Sequence, residues 1–132
     1  DPQWDGKFYT TPDVTTKLEP IVNEITKTIQ DQYQVSVELI INGSIAVVRW
    51  TKGEKMSAHV DDLGIENYHI TGLVYLNNDY EGGEINFITQ DLTLKPDAGD
   101  LVMFPGNLHY AHEVKEITSG ERFTIPVWYK YI

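Results

Sequence analysis

The hydrophobic period of this chain changes once, near Tyr33, and that change limits the folds open to it. Ahead of it, Val14, Leu18, Ile21, Val22, Ile25 and Ile29 recur at three- and four-residue spacing, the pattern of one amphipathic helix. Thr11-Pro12-Asp13 supplies a start signal, with proline in the first turn and an acid close behind. The spacing predicts a helix over 14–32, interrupted near Pro20. Residues 1–12, with Pro2, Gly6 and Pro12, read as an irregular lead-in. Beyond Tyr33, strand-forming runs occupy 35–41, 45–50, 56–60, 68–77, 84–88, 92–94, 100–104, 109–114 and 122–131. Asn42-Gly43 predicts a hairpin turn between the first two. One helix followed by many short strands predicts a mainly β fold with N-terminal helical cover, a sandwich or barrel.

At 132 residues the chain suffices for one core, so a single domain over 1–132 is expected. Ten basic residues against 20 acidic ones give a net charge of −10, which repels a phosphate backbone. The basic residues are scattered, so no nucleic-acid partner is expected. No run of 18 apolar residues and no basic-then-apolar leader is present, so neither a membrane span nor export is expected. The absence of cysteine excludes disulfides and zinc–thiolate sites. Together these features predict a cytoplasmic protein.

His59-x-Asp61, with His112 51 residues after Asp61 and Arg122 ten residues later, is the constellation with chemical content. Two imidazoles and a carboxylate can hold a divalent metal on one face and leave the opposite positions open. In an extended segment His59 and Asp61 project together, because residues two apart share a face. The same parity puts Arg122, Thr124, Pro126 and Trp128 on one face of the last strand. Phe123, Ile125, Val127 and Tyr129 then pack against a second layer. A charged arginine on an enclosed face needs an anion, and its planar fork suits a carboxylate. His109 and His112 differ in parity, so only one is expected to face the cavity. Ligand softness alone admits Mn, Co or Ni as readily as iron.

The sequence resembles the Fe(II)- and 2-oxoglutarate-dependent dioxygenases, in their prolyl 4-hydroxylase-like branch. The resemblance runs from Arg49-Trp50 through His59-Val60-Asp61, Tyr75-Leu76-Asn77, Gly82-Gly83-Glu84, Lys95-Pro96-x-x-Gly99-Asp100, His112-Glu113-Val114 and Gly120-x-Arg122 to Val127-Trp128-Tyr129. It covers roughly residues 43–132 and implies a double-stranded β-helix, a jelly-roll of cupin-like form, behind a helical lead-in over about 1–33. It implies that His59, Asp61 and His112 bind Fe(II). It also implies that Arg122, helped by Tyr75 and Thr124, holds the distal carboxylate of 2-oxoglutarate. O2 is the second co-substrate, and ascorbate is expected to stimulate turnover. Trp128, Trp50, Arg49 and Tyr68 are the expected substrate contacts, although Trp50 and Trp128 equally suit core packing. Trp50 stands where many relatives carry a tyrosine that reaches the co-substrate, which removes that polar contact. The short 62–67 segment leaves little room for a large substrate-clamping loop. Gly82-Gly83 is assigned to a tight turn.

The implied activity is hydroxylation of an unactivated C–H, foremost of a prolyl residue in a peptide or protein, with release of succinate and CO2. The alternatives are the same chemistry on a free amino acid or other small molecule, or a non-catalytic metal- or ligand-binding β-helix. Nucleic-acid demethylation in the same superfamily uses a second arginine six residues beyond the anchoring one, where this chain has Trp128. A metal hydrolase is a third possibility, for which this chain has an arrangement of ligands but no evident carboxylate base beside it.

Overall fold

The computed structural model describes residues 7–9, 11–33 and 37–131. Residues 1–6 and 10 of the expected lead-in, and residues 35 and 36 of the first expected strand, lie outside the described residues. The helix α1 spans Pro12–Asp31. The Thr11 side chain caps it, accepting from the Val14 N–H at 3.1 Å. It runs through Pro20 as one element, contrary to the expected interruption. Pro20 lies on the exposed face, where the carbonyl it leaves without a donor can be solvated.

The strands are β1 (Lys7–Tyr9), β2 (Leu39–Ile41), β3 (Val47–Trp50), β4 (Met56–His59), β5 (Ile70–Tyr75), β6 (Glu81–Gly82), β7 (Ile85–Phe87), β8 (Leu92–Leu94), β9 (Leu101–Pro105), β10 (His112–Val114), β11 (Ile117–Ser119) and β12 (Arg122–Tyr131). One sheet runs β1-β3-β12-β5-β9, with β2 also on β12; a second runs β4-β10-β7-β8; β11 pairs with β6. Every pairing is antiparallel. This is the double-stranded β-helix that the resemblance implies.

Three local expectations are corrected. Residues 7–9, taken as irregular, form a strand against 47–49. The Asn42-Gly43 turn makes no hairpin: β2 and β3 both pair with β12, at 129–131 and 122–124, so they are two pieces of one interrupted strand. Gly43 has φ +125° at the interruption, and Asn42 N–H still donates to the Trp128 carbonyl at 2.8 Å. The 109–114 run begins as a 3-10 turn over Leu108–Tyr110, capped by Asn107, and becomes strand only at His112.

Strand alternation decides what each face of β12 meets. Ile125, Val127 and Tyr129 pack with Val22, Ile25 and Ile29 of α1, each such aliphatic burial contributing about 1.5–3 kcal/mol. Gly72 permits that approach: a Cβ there would lie 2.9 Å from the Ile29 Cδ1. Ile21, expected on the buried stripe, remains exposed. The other face of β12 turns to the space between the sheets. There Val48, Trp50, Tyr80, Val114 and Ile117 form one apolar cluster and Ile85, Phe87 and Phe104 another. Between these walls lies the cavity.

Candidate metal and anion site

His59 ends β4 and stands directly opposite His112 of β10 in register, with ring centroids 4.3 Å apart. Asp61 follows β4 by two residues and still projects with His59. The Asp61 Oδ1 lies 3.4 Å from Nε2 of both histidines. All three donor atoms fall within 4.8 Å of one another. Metal–ligand bonds of about 2.1 Å put perpendicular donors about 3 Å apart, so the spacing suits one ion.

The surrounding hydrogen bonds aim these donors. His59 Nδ1 meets the Ser57 carbonyl at 2.8 Å and His112 Nδ1 the Tyr110 carbonyl at 2.9 Å. A carbonyl can only accept, so Nδ1 carries the proton and Nε2 faces Asp61. The second carboxylate oxygen, Oδ2, accepts from the Thr71 hydroxyl at 2.5 Å and the Trp128 indole N–H at 3.3 Å. Oδ1 is therefore left as the single donor. Burial opposes ionisation of Asp61, but His112, His59 and Thr71 outweigh it and hold the carboxyl far below its usual range. At His59 burial lowers the pKa, while Asp61 and the Ser57 carbonyl more than offset this and raise it. The electrostatics favour a cation among these three groups.

Thr71 is a site residue that sequence reading missed. Its signal was parity: Thr71, Leu73 and Tyr75 share a face of β5, and Thr71 pairs with Trp128 across the sheet. Thr71→Val and Trp128→Phe are each expected to weaken Fe(II) binding about 10–100-fold while leaving the chain folded. Unchanged Fe(II) affinity in both variants, read by anaerobic titration, would remove the orienting role.

Arg122 opens β12, pairs with Trp50 of β3 and is 1 % exposed. Its guanidinium donates to the Tyr75 hydroxyl at 2.6 Å and lies 4.7 Å from the Tyr75 ring and 5.2 Å from the Trp50 ring. These π faces offset part of the burial cost. No carboxylate among the described residues pairs with it, and its Nε has no partner. A buried polar group without a partner costs about 1–3 kcal/mol, and more when charged. Such a cation fits an anionic ligand. Asn77 fixes the strand around it: its side chain donates to the Glu121 carbonyl at 2.7 Å and accepts from Phe123 N–H at 2.9 Å.

The triad and Arg122 line one cavity of about 350 Å³, with Thr71, Thr124, Trp50, Trp128 and Tyr68 also in its wall. That volume lies in the range of small-molecule sites. Thr124 sits opposite Tyr75 in register and is buried. Tyr68 and Trp128 have ring centroids 5.7 Å apart. Arg49 does not reach the cavity: it lies between the inward-facing Val48 and Trp50, and its guanidinium pairs with Glu121 at 2.5 and 3.2 Å. The parity that sends Trp50 inward sends Arg49 outward. His69 stacks on Tyr131 at 4.4 Å, and His109 is exposed in the 3-10 turn. Gly82 and Gly83, at φ +78° and +71°, serve close approach: a Cβ on Gly82 would lie 2.0 Å from the Glu116 carbonyl oxygen.

Known proteins share this framework. The family model of the 2OG-Fe(II) oxygenase superfamily matches residues 45–130. Human prolyl 3-hydroxylase 2 is 33% identical over 64 residues, covering 45% of this chain and 9% of the relative. A PKHD-type hydroxylase of Prochlorococcus marinus is 31% identical over 83 residues, 58% of this chain and 37% of that protein. The chain thus spans only a small part of the curated relatives it matches. Among solved structures, a viral collagen prolyl hydroxylase of Paramecium Bursaria Chlorella virus-1, in complex with 2-oxoglutarate, superposes with a TM-score of 0.70. Its identity is 19%, over 96% of this chain and 79% of that one. A Trichoplax adhaerens prolyl hydroxylase bound to a hypoxia inducible factor peptide fragment superposes with a TM-score of 0.66, at 22% identity, over 87% and 55% of the two chains.

Proposed function

The chain belongs to the 2OG-Fe(II) oxygenase superfamily, and from that premise we propose that it hydroxylates a prolyl residue in a peptide or protein, releasing succinate and CO2. The family uses Fe(II), 2-oxoglutarate and O2. When bound, they supply the oxidation of an unactivated C–H bond, and the protein supplies placement. His59, Asp61 and His112 would hold the metal, since they offer two imidazole nitrogens and one carboxylate oxygen with the opposite side facing the cavity. Arg122, Tyr75 and Thr124 would hold the distal carboxylate of 2-oxoglutarate. The observation that carries the reading is the buried, carboxylate-free Arg122 in the same cavity as the triad. Apolar walls from Val48, Met56, Leu73, Ile85, Phe104 and Val114 exclude water from the reacting groups.

A polypeptide substrate is supported by the names of the relatives and by the rim. The segment joining Asp61 to Tyr68 exposes Leu63 and Ile65, and it is tied to the link between β9 and the 3-10 turn by Asp62 N–H donating to the Gly106 carbonyl at 2.9 Å. Leu108 on that turn is 70 % exposed. An extended chain could lie across these aliphatic groups with one residue directed past Tyr68 and Trp128. No helix among the described residues is long and apolar enough to cross a membrane. The test is incubation with proline-containing peptides, Fe(II), 2-oxoglutarate and ascorbate. The expected result is one added oxygen on a prolyl residue by mass spectrometry, matched by succinate. Turnover confined to free amino acids would overturn the substrate assignment.

A further inference from the structure

Asn42 makes no hairpin turn, yet it is bonded through both its backbone and its side chain. Its backbone N–H donates to the Trp128 carbonyl at 2.8 Å. Its side-chain amide reaches the segment joining Asp61 to Tyr68, where Nδ2 donates to the Glu66 carbonyl at 2.9 Å and to the Asn67 carbonyl at 3.2 Å. A Cβ on Gly43 would lie 3.8 Å from the Trp128 Cε3, so the junction between β2 and β3 rests against the indole. Asn67 has φ +60°, a left-handed conformation that persists where surrounding contacts hold it. Asn42 supplies such a contact, and the next residue is Tyr68.

Tyr68 and Trp128 face each other in the cavity wall, and the Trp128 indole N–H also donates to Asp61 Oδ2. Beyond Tyr68 the chain is fixed by His69 N–H donating to the Tyr129 carbonyl at 2.8 Å and by close approach to Gly106. A Cβ on Gly106 would lie 2.0 Å from the Tyr68 carbonyl oxygen. Ahead of Tyr68 the segment closes on itself: the Glu66 carboxylate accepts from Leu63 N–H at 3.0 Å and the Asp62 carboxylate from Gly64 N–H at 2.7 Å. Asn42 attaches this closed segment to the strand beside Trp128.

We propose that Asn42 is a positioning residue that sets the gap between Tyr68 and Trp128 and thereby the width of the residue admitted to the metal. This deepens the prolyl hydroxylase reading and rests on it. Asn42 does not line the cavity, so it acts through the two aromatic residues that do. Asn42→Asp keeps the shape and the backbone bond to Trp128, but it replaces the donating amide with a carboxylate that repels both carbonyls. Asn42→Ala removes the donor without adding charge.

The test compares wild type with both variants on paired peptides that differ in one residue, prolyl or its six-membered-ring homologue pipecolyl. A fixed gap should distinguish rings that differ by one methylene by about tenfold or more. In the variants the KM for the prolyl peptide should rise by about three- to tenfold, the scale of one or two neutral hydrogen bonds, and the preference over pipecolyl should shrink. Affinity for Fe(II) and 2-oxoglutarate, titrated without oxygen, should not change. Amide hydrogen exchange should accelerate across 62–67 and stay the same in α1 and β5. Unchanged exchange across 62–67, or an unchanged preference between the rings, would overturn the proposal. A parallel loss of 2-oxoglutarate affinity would also overturn it, by making the effect structural, as would a wild type that accepts both rings equally. Wild type that turns over neither peptide would instead bring down the prolyl reading itself, and this proposal with it.

Discussion

Asp61→Ala is expected to abolish 2-oxoglutarate turnover and to leave a folded chain. The carboxylate is the one anionic donor of the triad, and its Oδ1 faces both imidazole Nε2 atoms at 3.4 Å. Without it two neutral nitrogens remain, and nothing balances the charge of a divalent ion in a partly enclosed site. Loss of a group that merely orients a ligand costs about 10–100-fold in affinity or activity, so loss of the ligand itself should exceed about 100-fold. His59→Ala should behave alike, because His59 and His112 form one cross-strand pair and neither imidazole replaces the other. The apolar clusters do not include Asp61, so the far-ultraviolet dichroism should be preserved. Succinate release and anaerobic Fe(II) titration check both points. Full turnover in either variant would remove these residues from the metal site.

Arg122→Met should separate binding from stability in an unusual direction. Among the described residues the buried guanidinium has no carboxylate partner, and the Tyr75 hydroxyl and two aromatic faces support it. Truncating one member of a buried charge pair costs about 2–5 kcal/mol, or roughly 30- to several-thousand-fold in Kd. 2-Oxoglutarate affinity should therefore fall by that factor while Fe(II) affinity is retained. In the ligand-free protein the same change removes an uncompensated charge and substitutes an apolar chain of similar length. Its thermal midpoint should hold or rise, as when buried ionic groups are replaced by well-packed apolar ones. Calorimetry with and without 2-oxoglutarate measures both effects. Equal 2-oxoglutarate affinity in wild type and variant would discard the anchor.

The parts of the fold and site legible in the sequence are those governed by local backbone geometry. The three- and four-residue spacing of Val22, Ile25 and Ile29 placed the buried stripe of α1, and Ile21 left it. Strand parity put Arg122, Thr124, Pro126 and Trp128 together on β12, and all four line the cavity. Parity also accounts for Arg49, which one residue's shift from Trp50 turns away from the cavity to Glu121. Where a signal was misread, a long-range partner had overridden it. Asn42-Gly43 is a strong hairpin motif, yet β12 takes up the strands on both sides of it, so the turn only interrupts one strand.

The sequence by itself therefore determined the helix, most of the strands, the faces they present and the four residues that suggest metal and anion chemistry. A side chain's direction along a helix or strand follows from its own backbone. Only the tertiary structure decided which faces meet. It set His112 against His59 and brought Thr71 and Trp128 to one oxygen of Asp61. Those meetings depend on strand register, where a slip of one residue reverses every face. Register is settled by hydrogen bonds and packing between segments far apart in the chain, and no local pattern carries it.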